Sequence, residues 1–217
     1  MQVKIEVLKL LKKCPLVAKG IAANIYRCPA SVQLVDEVEL LGFATDGHAA
    51  VQWSLGVEAL ADPNPETAWC GVPPHLFRVA EDYAYHSEKV CWEAGNVYVT
   101  GRSGTVVQFG RQIYSETLAD AVLTGPGPAH KVAFEGRVRD LLAVIKELST
   151  TKIGDEPAKQ LWRVLDTAFD SSLLVACLKV LDKASVIKIH VADKFDPAFI
   201  TCEGEKYYQA VVMPIRL

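Results

Sequence analysis

Three neighbouring residues, Thr45, Asp46 and His48, come closest in this sequence to a set that could do chemistry. A carboxylate beside an imidazole can hold the ring in one tautomer, and the imidazole can then take a proton from a hydroxyl group. No Ser or Cys in a nucleophile-elbow motif accompanies them. Asp46-Gly47 is also a favoured pair for a tight hairpin turn. We therefore interpret the segment as a turn between two strands, and we predict that the protein is not an enzyme.

The six cysteines are the other residues with potential reactivity, because thiolates bind metals and act as nucleophiles. None stands in a CxxC pair, and none has a histidine at metal-ligand spacing. We expect no metal site and no cofactor, and we interpret the cysteines as reduced, mostly buried thiols of a cytoplasmic protein. They are Cys14, Cys28, Cys70, Cys91, Cys177 and Cys202.

The composition is that of a folded globular protein. The chain has 217 residues, of which 50% are apolar and 23% are charged, so it is long enough for one large domain or two small ones. Its formal net charge of −3 argues against a protein that coats nucleic acid with its whole surface, but it allows a local basic strip. The N-terminal segment lacks a secretory signal pattern, and no run of about 18 apolar residues occurs. We expect no membrane contact.

The pattern of the first part of the chain predicts a helix, a set of strands, a second helix and a second set of strands. An apolar stripe at helical spacing opens the sequence, and Pro15 and Gly20 limit that helix. The later predicted elements are strands over 31–35, 39–44 and 49–55, a helix over 73–86, and strands over 89–94, 96–101 and 105–113.

A segment rich in Gly and Pro, residues 123–128, is the predicted linker between a first domain over 1–122 and a second over 129–217. The helix and three strands that end each domain match at an offset of about 97 residues, which indicates an internal repeat. The predicted elements after the linker are a strand over 130–136, helices over 138–148 and 171–183, and strands over 186–192, 198–204 and 207–215.

The second domain is shorter than the first. Between its two helices, only 21 residues separate Leu148 from Asp170, whereas 53 separate Lys19 from Pro73 in the first domain. About 30 residues, the size of a three-stranded meander, are therefore missing, and we expect an exposed sheet edge or a lost subunit interface.

Two segments resemble landmarks of one protein family. Residues 42–51, GFATDGHAAV, resemble the ATDGH hairpin in the middle domain of the bacterial DNA polymerase III beta subunit, the DNA sliding clamp. Residues 210–217, AVVMPIRL, resemble its closing VVMPMRL, and residues 169–175, FDSSLLV, are similar to the start of its last helix. The resemblance implies an α+β DNA clamp fold. Each of two domains would use a βαβββ unit twice, with sheets outside, helices lining a DNA-facing surface and the second domain abbreviated.

The resemblance also implies a function: a processivity factor that encircles duplex DNA without sequence preference and tethers DNA polymerase, the clamp loader and other replication or repair proteins. The partners' short peptides would enter a hydrophobic pocket, because an apolar hollow with a few polar groups suits aliphatic and aromatic anchors. With two domains per chain, a ring of six domains would need a homotrimer. Carried over residue by residue, the peptide pocket comprises Thr45, Gly47, His48, Leu173, Val211, Met213, Pro214, Ile215, Arg216 and Leu217.

Basic residues recur on the predicted helices, away from the apolar stripes. Such residues usually belong to a helix face that is exposed to solvent. Their repetition in a net acidic chain favours a DNA-facing strip, because phosphate binding needs concentrated Lys and Arg. The predicted strip comprises Lys9, Lys12, Lys13, Arg78, Arg139, Lys146, Lys179 and Lys183.

Two departures from the family pattern keep a second function open. Ala49 and Ala50 follow His48, where the family has larger residues, which favours a shallower pocket. The short second domain places ring closure in question. The alternative is a clamp-like adaptor or decoy that binds clamp partners without encircling DNA.

Overall fold

The computed structural model describes residues 1–22, 29–35, 39–58, 69–77, 87–93, 96–101, 106–111, 124–155 and 157–215, and it is an α+β structure. The helices are α1 (Glu6–Lys12), α2 (Pro15–Ala22), α3 (Val138–Lys146) and α4 (Ser171–Leu178), and residues 74–77 are also helical. The strands are β1 (Gln2–Lys4), β2 (Ala30–Val35), β3 (Glu39–Thr45), β4 (Ala49–Glu58), β5 (Cys70–Val72), β6 (Ser87–Glu93), β7 (Asn96–Gly101), β8 (Val106–Arg111), β9 (Lys131–Arg137), β10 (Thr150–Thr151), β11 (Lys159–Val164), β12 (Thr167–Asp170), β13 (Val186–Val191), β14 (Ala198–Cys202) and β15 (Gln209–Val212).

These strands form antiparallel sheets of eight, four and three strands. Their orders are β5-β2-β3-β4-β15-β14-β13-β9, β1-β6-β7-β8 and β10-β11-β12. In the eight-stranded sheet β4 pairs with β15, and Ala50 lies opposite Val211. This sheet therefore runs without a break from the first half of the chain into the second.

The sheet orders confirm the internal repeat. Three groups of four strands, β1-β6-β7-β8, β5-β2-β3-β4 and β9-β13-β14-β15, have the same arrangement. In each, a single strand that leads into a helix pairs with the first strand of a three-stranded meander. Residues 124–130 between the halves form no helix or strand, while the division into two domains stays a prediction.

The helices cover one face of the eight-stranded sheet as a single layer. They contact one another in the order α1–α2–α4–α3, and beneath them α2 contacts β3, α4 contacts β4 and β15, and α3 contacts β9. The main core lies between this layer and the sheets, with Leu11, Leu141 and Leu174 fully buried. Burial of these apolar faces is what holds the layers together.

The opposite face of the same sheet carries a smaller apolar cluster. Leu41, Phe43, Ala50 and Trp69 are buried there, and the rings of Phe43 and Trp69 lie 5.6 Å apart. Alternate residues of β3 and β4 therefore serve two different cores, as the two-residue period of a strand requires.

The N-terminal segment differs from the predicted single helix. The short strand β1 comes first, and Pro15 begins α2 instead of ending a helix, because proline suits a first helical position. Gly20 lies inside α2. A Cβ on Gly20 would clash with the backbone oxygen of Thr45 and with Pro29 Cβ, so the glycine marks a close approach and not a helix end.

The predicted helix over 171–183 is too long, because α4 ends at Leu178. The Asp182 carboxylate accepts the backbone N–H of Ala184, which closes a turn. The carbonyls of Lys183 and Ser185 then accept the first N–H groups of α3. The segment after α4 therefore holds the start of α3 in place, whereas the sequence predicted that its residues up to 183 continue the helix.

The expectation that the meander is missing from the second half is also wrong. A shortened one, β10-β11-β12, lies between α3 and α4. Leu161, Trp162 and Phe169 are buried, and the Trp162 ring packs against Phe169 at 6.2 Å and Phe134 at 6.4 Å. These aromatic contacts keep a sheet in place with few residues.

Two absences hold for the described ranges. No helix there is long and apolar enough to cross a membrane, and no group of three His, Cys, Asp or Glu side chains could hold a metal ion. Most of the predicted helix over 73–86 lies outside the described residues, which end at 77 in that region.

Candidate functional site

The Thr45–Ala49 turn is held by its own side chains. The Thr45 hydroxyl donates to the carbonyl of Ala49 at 2.8 Å and accepts the N–H of Gly47 at 3.1 Å. One oxygen of the Asp46 carboxylate accepts the N–H groups of His48 and Ala49 at 3.0 and 2.9 Å. Gly47 has a φ of 89°, which favours glycine. The carboxylate is therefore engaged in fixing the turn.

The C-terminal segment crosses from one sheet to another beside this turn. After β15, the N–H of Met213 donates to the carbonyl of His48 at 2.8 Å, and the N–H of Ile215 donates to the carbonyl of Ala168 on β12 at 2.8 Å. Met213 is 45% exposed. The two backbone hydrogen bonds hold Met213 and Pro214 between the hairpin and β12, with an apolar side chain open to a ligand.

A contact between α2 and α4 supports the hairpin and the C-terminal segment from the helix side of the sheet. The Lys19 ammonium donates to the Ser172 hydroxyl at 2.9 Å, and the neighbouring Gly20 lies directly under Thr45. The Asp170 carboxylate accepts the N–H of Ser172 at 2.8 Å and caps α4. The tail is hydrogen bonded to β12, and α4 follows β12 directly. The hairpin, the tail and the start of α4 are therefore linked by a continuous set of contacts.

The structure brings most described members of the predicted pocket to one end of the eight-stranded sheet. Thr45, Ala50 and Val211 form one cross-strand row, and Met213 hydrogen bonds to His48. Leu173 is placed differently: it is 8% exposed and packs in the main core beneath the helix layer. Val211 points to the other face of the sheet, since it shares a row with Ala50 of the smaller cluster. Arg216 and Leu217 lie outside the described residues.

The described basic residues of the predicted strip are all exposed and lie on or next to helices of the single layer. On one side are Lys9, Lys12 and Lys13 of α1 and its end. The remaining described members lie in the second half of the chain. There the N–H of Arg139 donates to the carbonyl of Lys183 at 3.0 Å, so the start of α3 contacts the segment that follows α4. The side chain of Arg139 also contacts Asp140 at 3.4 Å, which offsets part of its charge. The other exposed members are Lys146 and Lys179, and Arg78 lies outside the described residues.

The described cysteines are free thiols, two of them buried. Burial raises the pKa of the Cys14 thiol to about 11, and burial raises the pKa of Cys177 well above its usual value. Both thiols are therefore protonated at neutral pH and unsuited to nucleophilic attack. Cys70, Cys91 and Cys202 are half-buried, so burial is less general than expected.

Sequence reasoning missed the α2–α4 contact and the role of Ala168. Lys19 and Ser172 are 153 positions apart, and no local pattern links them. Gly20 offered a usable signal, because a glycine inside a helical pattern often marks close packing.

The fold defined by the repeated strand order, the continuous sheet and the single helix layer is that of a DNA clamp. Solved structures of the beta subunit of bacterial DNA polymerase III share it along the whole of this chain. The sliding clamp of Bartonella birtlesii, determined bound to griselimycin, matches with a TM-score of 0.64 and 17% identity over 100% of this chain and 66% of its own. The beta subunit of Thermotoga maritima gives 0.63 and 15%, again over 100% of this chain and 65% of its own. That of Streptococcus pyogenes gives 0.60 and 13%, over 100% and 66%.

This chain therefore spans about two thirds of the length of those clamps. No protein-family model matches the sequence, and no curated protein matches it. The comparisons confirm the resemblance in fold that the hairpin and the tail indicated.

Proposed function

We propose that this protein is a non-catalytic DNA sliding clamp, a processivity factor that encircles duplex DNA and tethers a DNA polymerase and other replication or repair proteins. The observation that carries the proposal is the match of the whole chain to beta subunits with TM-scores near 0.6. We place it in the cytoplasm, where replication partners and reduced thiols would occur together.

The proposed partner site is the end of the eight-stranded sheet where the hairpin meets the tail. Met213 is exposed and lies between Thr45–His48 and β12. A methionine side chain adapts to aliphatic and aromatic anchors of different partners, and neighbouring backbone groups can orient an extended peptide. Pro214 and Ile215 continue this surface along the tail, and Arg216 and Leu217, outside the described residues, are the remaining proposed members.

The proposed DNA surface is the side of the helix layer that faces away from the sheet. The lysines lie on or beside helices that contact one another in the order α1–α2–α4–α3, which supports the proposal that they act as one surface although they are far apart in the chain. Lysines that contact only phosphates give binding without base specificity, and that binding weakens steeply as salt rises.

We propose that griselimycin, which the Bartonella clamp binds, would bind this chain at the hairpin and tail, and this proposal gives a test of the pocket. We expect the full chain to bind it in a calorimetric titration, and a chain lacking Met213–Leu217 to lose that binding while still unfolding cooperatively. Val144→Ala is the control, because Val144 is 49% exposed, lies on α3 and is not a member of the proposed pocket. Equal affinity with and without the tail would contradict the site assignment.

Retention on circular DNA tests encirclement. In the presence of a clamp loader, we expect the protein to remain on nicked circular plasmid during gel filtration and to leave after the plasmid is linearised. Replacing Lys9, Lys12 and Lys13 by Glu should weaken retention. Equal retention on circular and linear DNA would show simple surface binding and contradict the ring.

The adaptor or decoy function remains the second candidate, favoured by the shortened sheet β10-β11-β12. Its edge strand β12 has only four residues and offers little edge for a neighbouring subunit. Griselimycin binding without any topological retention on circular DNA would favour this candidate over the clamp.

A further inference from the structure

Two turns of the second half form a cleft of about 510 Å³ that shares no lining residue with the peptide pocket. One wall is the β11–β12 turn with Leu165 and Asp166, and the other is the loop that precedes β14, with Phe195. The Thr167 hydroxyl donates to the carbonyl of Asp193 at 3.2 Å. This hydrogen bond joins the two walls of the cleft.

The cleft holds the two most exposed large apolar side chains of the described residues. Leu165 is 67% exposed and Phe195 is 62% exposed. Single exposed apolar residues are ordinary, but two that line one cleft indicate a contact surface.

Leu165 also has an unfavourable backbone. Its φ is 53°, and it is the one non-glycine residue of the described chain with a positive φ. Val164 pairs with Thr167, so Leu165 is the first residue of a two-residue hairpin turn, a position that glycine or asparagine fills without strain. A leucine with a strained backbone and an exposed side chain adds nothing to the stability of the fold, which points to a role in contact with another molecule.

The charges around the cleft specify the partner. Asp166 and Asp193 both line it and are exposed. One oxygen of the Asp193 carboxylate accepts the N–H groups of Phe195 and Asp196 at 2.7 and 3.1 Å, and the carboxylate keeps its negative charge at the rim. Among the lining residues only Lys194 opposes these two charges. The Lys194 ammonium lies 5.0 Å from the centre of the Phe195 ring, so its charge is directed at the aromatic face. The rim therefore favours a cationic group beside the apolar anchors.

We propose that this cleft is a second protein-docking site, separate from the hairpin and tail, which binds a partner segment with apolar side chains next to an arginine or lysine. Leu165 and Phe195 contact the apolar side chains, and Asp166 and Asp193 attract the cation.

The probe is the capped tripeptide acetyl-Leu-Arg-Phe-amide, titrated into the ¹⁵N-labelled full chain and followed by NMR. We expect the largest amide shifts in residues 165–167 and 192–196, and weaker binding by acetyl-Leu-Glu-Phe-amide. Leu165→Gly and Phe195→Ala should each weaken binding about fivefold or more, whereas Val144→Ala should not change it.

Leu165→Gly separates a docking role from a structural one. Glycine accepts a φ of 53°, so the variant should not unfold at a lower temperature than the wild type, and it should keep griselimycin binding. Unchanged probe binding in both cleft variants, or equal binding of the Arg and Glu peptides, would overturn the proposal. A cleft that binds no probe but whose Leu165→Gly variant loses self-association in sedimentation would instead hold a second copy of this chain, which also overturns it.

Discussion

Gly20 gives a test at the scale of one residue in which helix propensity and packing predict opposite signs. On propensity alone, Gly20→Ala in α2 should stabilise the protein by about 1 kcal/mol. The added Cβ would instead meet the Thr45 carbonyl oxygen and Pro29 Cβ at less than contact distance. We expect a net loss of about 1–3 kcal/mol in the free energy of unfolding by urea, because backbone on both sides must move.

Ala18→Gly is the control for that measurement. Ala18 is exposed in the same helix, so its replacement should cost about 1 kcal/mol through propensity only. If Gly20→Ala proves more stable than the wild type, the close approach of α2 to the hairpin is incorrect.

His190 makes stability depend on pH. Burial, followed by the positive charges of His130 and Lys188, lowers the pKa of His190 below its usual 6.5. The unfolded chain then binds more protons than the folded chain between the two pKa values, so the stabilisation is complete above 6.5 and is lost as the pH falls through the folded pKa. We expect the urea midpoint to drop between about pH 7.5 and about pH 5.5.

His190→Gln should reduce that drop. An identical pH dependence in His190→Gln and the wild type would assign the effect to other groups.

At the scale of elements, Trp92 joins the four-stranded sheet to the eight-stranded one. It lies on β6 and is 4% exposed, and its indole N–H donates to the carbonyl of Gly71 on β5 at 2.9 Å. Trp92→Phe keeps most of the apolar contact but leaves a buried carbonyl without its partner, which we expect to cost about 1–3 kcal/mol in urea unfolding.

Trp53→Phe is the comparison for Trp92→Phe. Trp53 is 7% exposed, and within the described residues its indole makes no hydrogen bond, so this variant reports the loss of ring area alone. Equal losses in the two variants would mean that the hydrogen bond between the sheets contributes nothing.

Element types were predictable where the pattern was long and regular. The strands of the meanders β6-β7-β8 and β13-β14-β15 and the helix α3 lie where the alternation of apolar residues and their helical spacing predicted them. The short strands β1, β5 and β10 were missed, because two or three residues carry no measurable period and depend on their partners in the sheet. The strands β11 and β12 were missed as well, because the interval between α3 and α4 was interpreted as too short to hold a meander. The boundary between α1 and α2 was missed because proline both ends and begins helices.

At the scale of the molecule, the hairpin and the tail were predictable because each is a contiguous run of specific residues. Their meeting through Met213 and His48 follows from the pairing of β15 with β4. The opposite orientations of Val211 and Leu173 could not be deduced, since they depend on strand register and on the face that α4 covers. The Leu165–Phe195 cleft joins two turns that are distant in sequence and carry no motif.

The same topology argues for a homotrimer with head-to-tail contacts. Within the chain the halves join edge to edge through β4 and β15, each the last strand of a meander, and β8 holds the equivalent edge position in the four-stranded sheet. A copy that presents β12, the edge of the shortened sheet, to β8 would repeat this junction, and three copies would close the predicted ring of six domains. Because β12 has only four residues and Ala168 already bridges to Ile215, the contact should be weak and depend on concentration. We expect sedimentation velocity to show a species of three chain masses that grows as protein concentration rises. A protein that stays monomeric throughout the micromolar range would exclude the self-assembled ring while leaving the clamp fold intact.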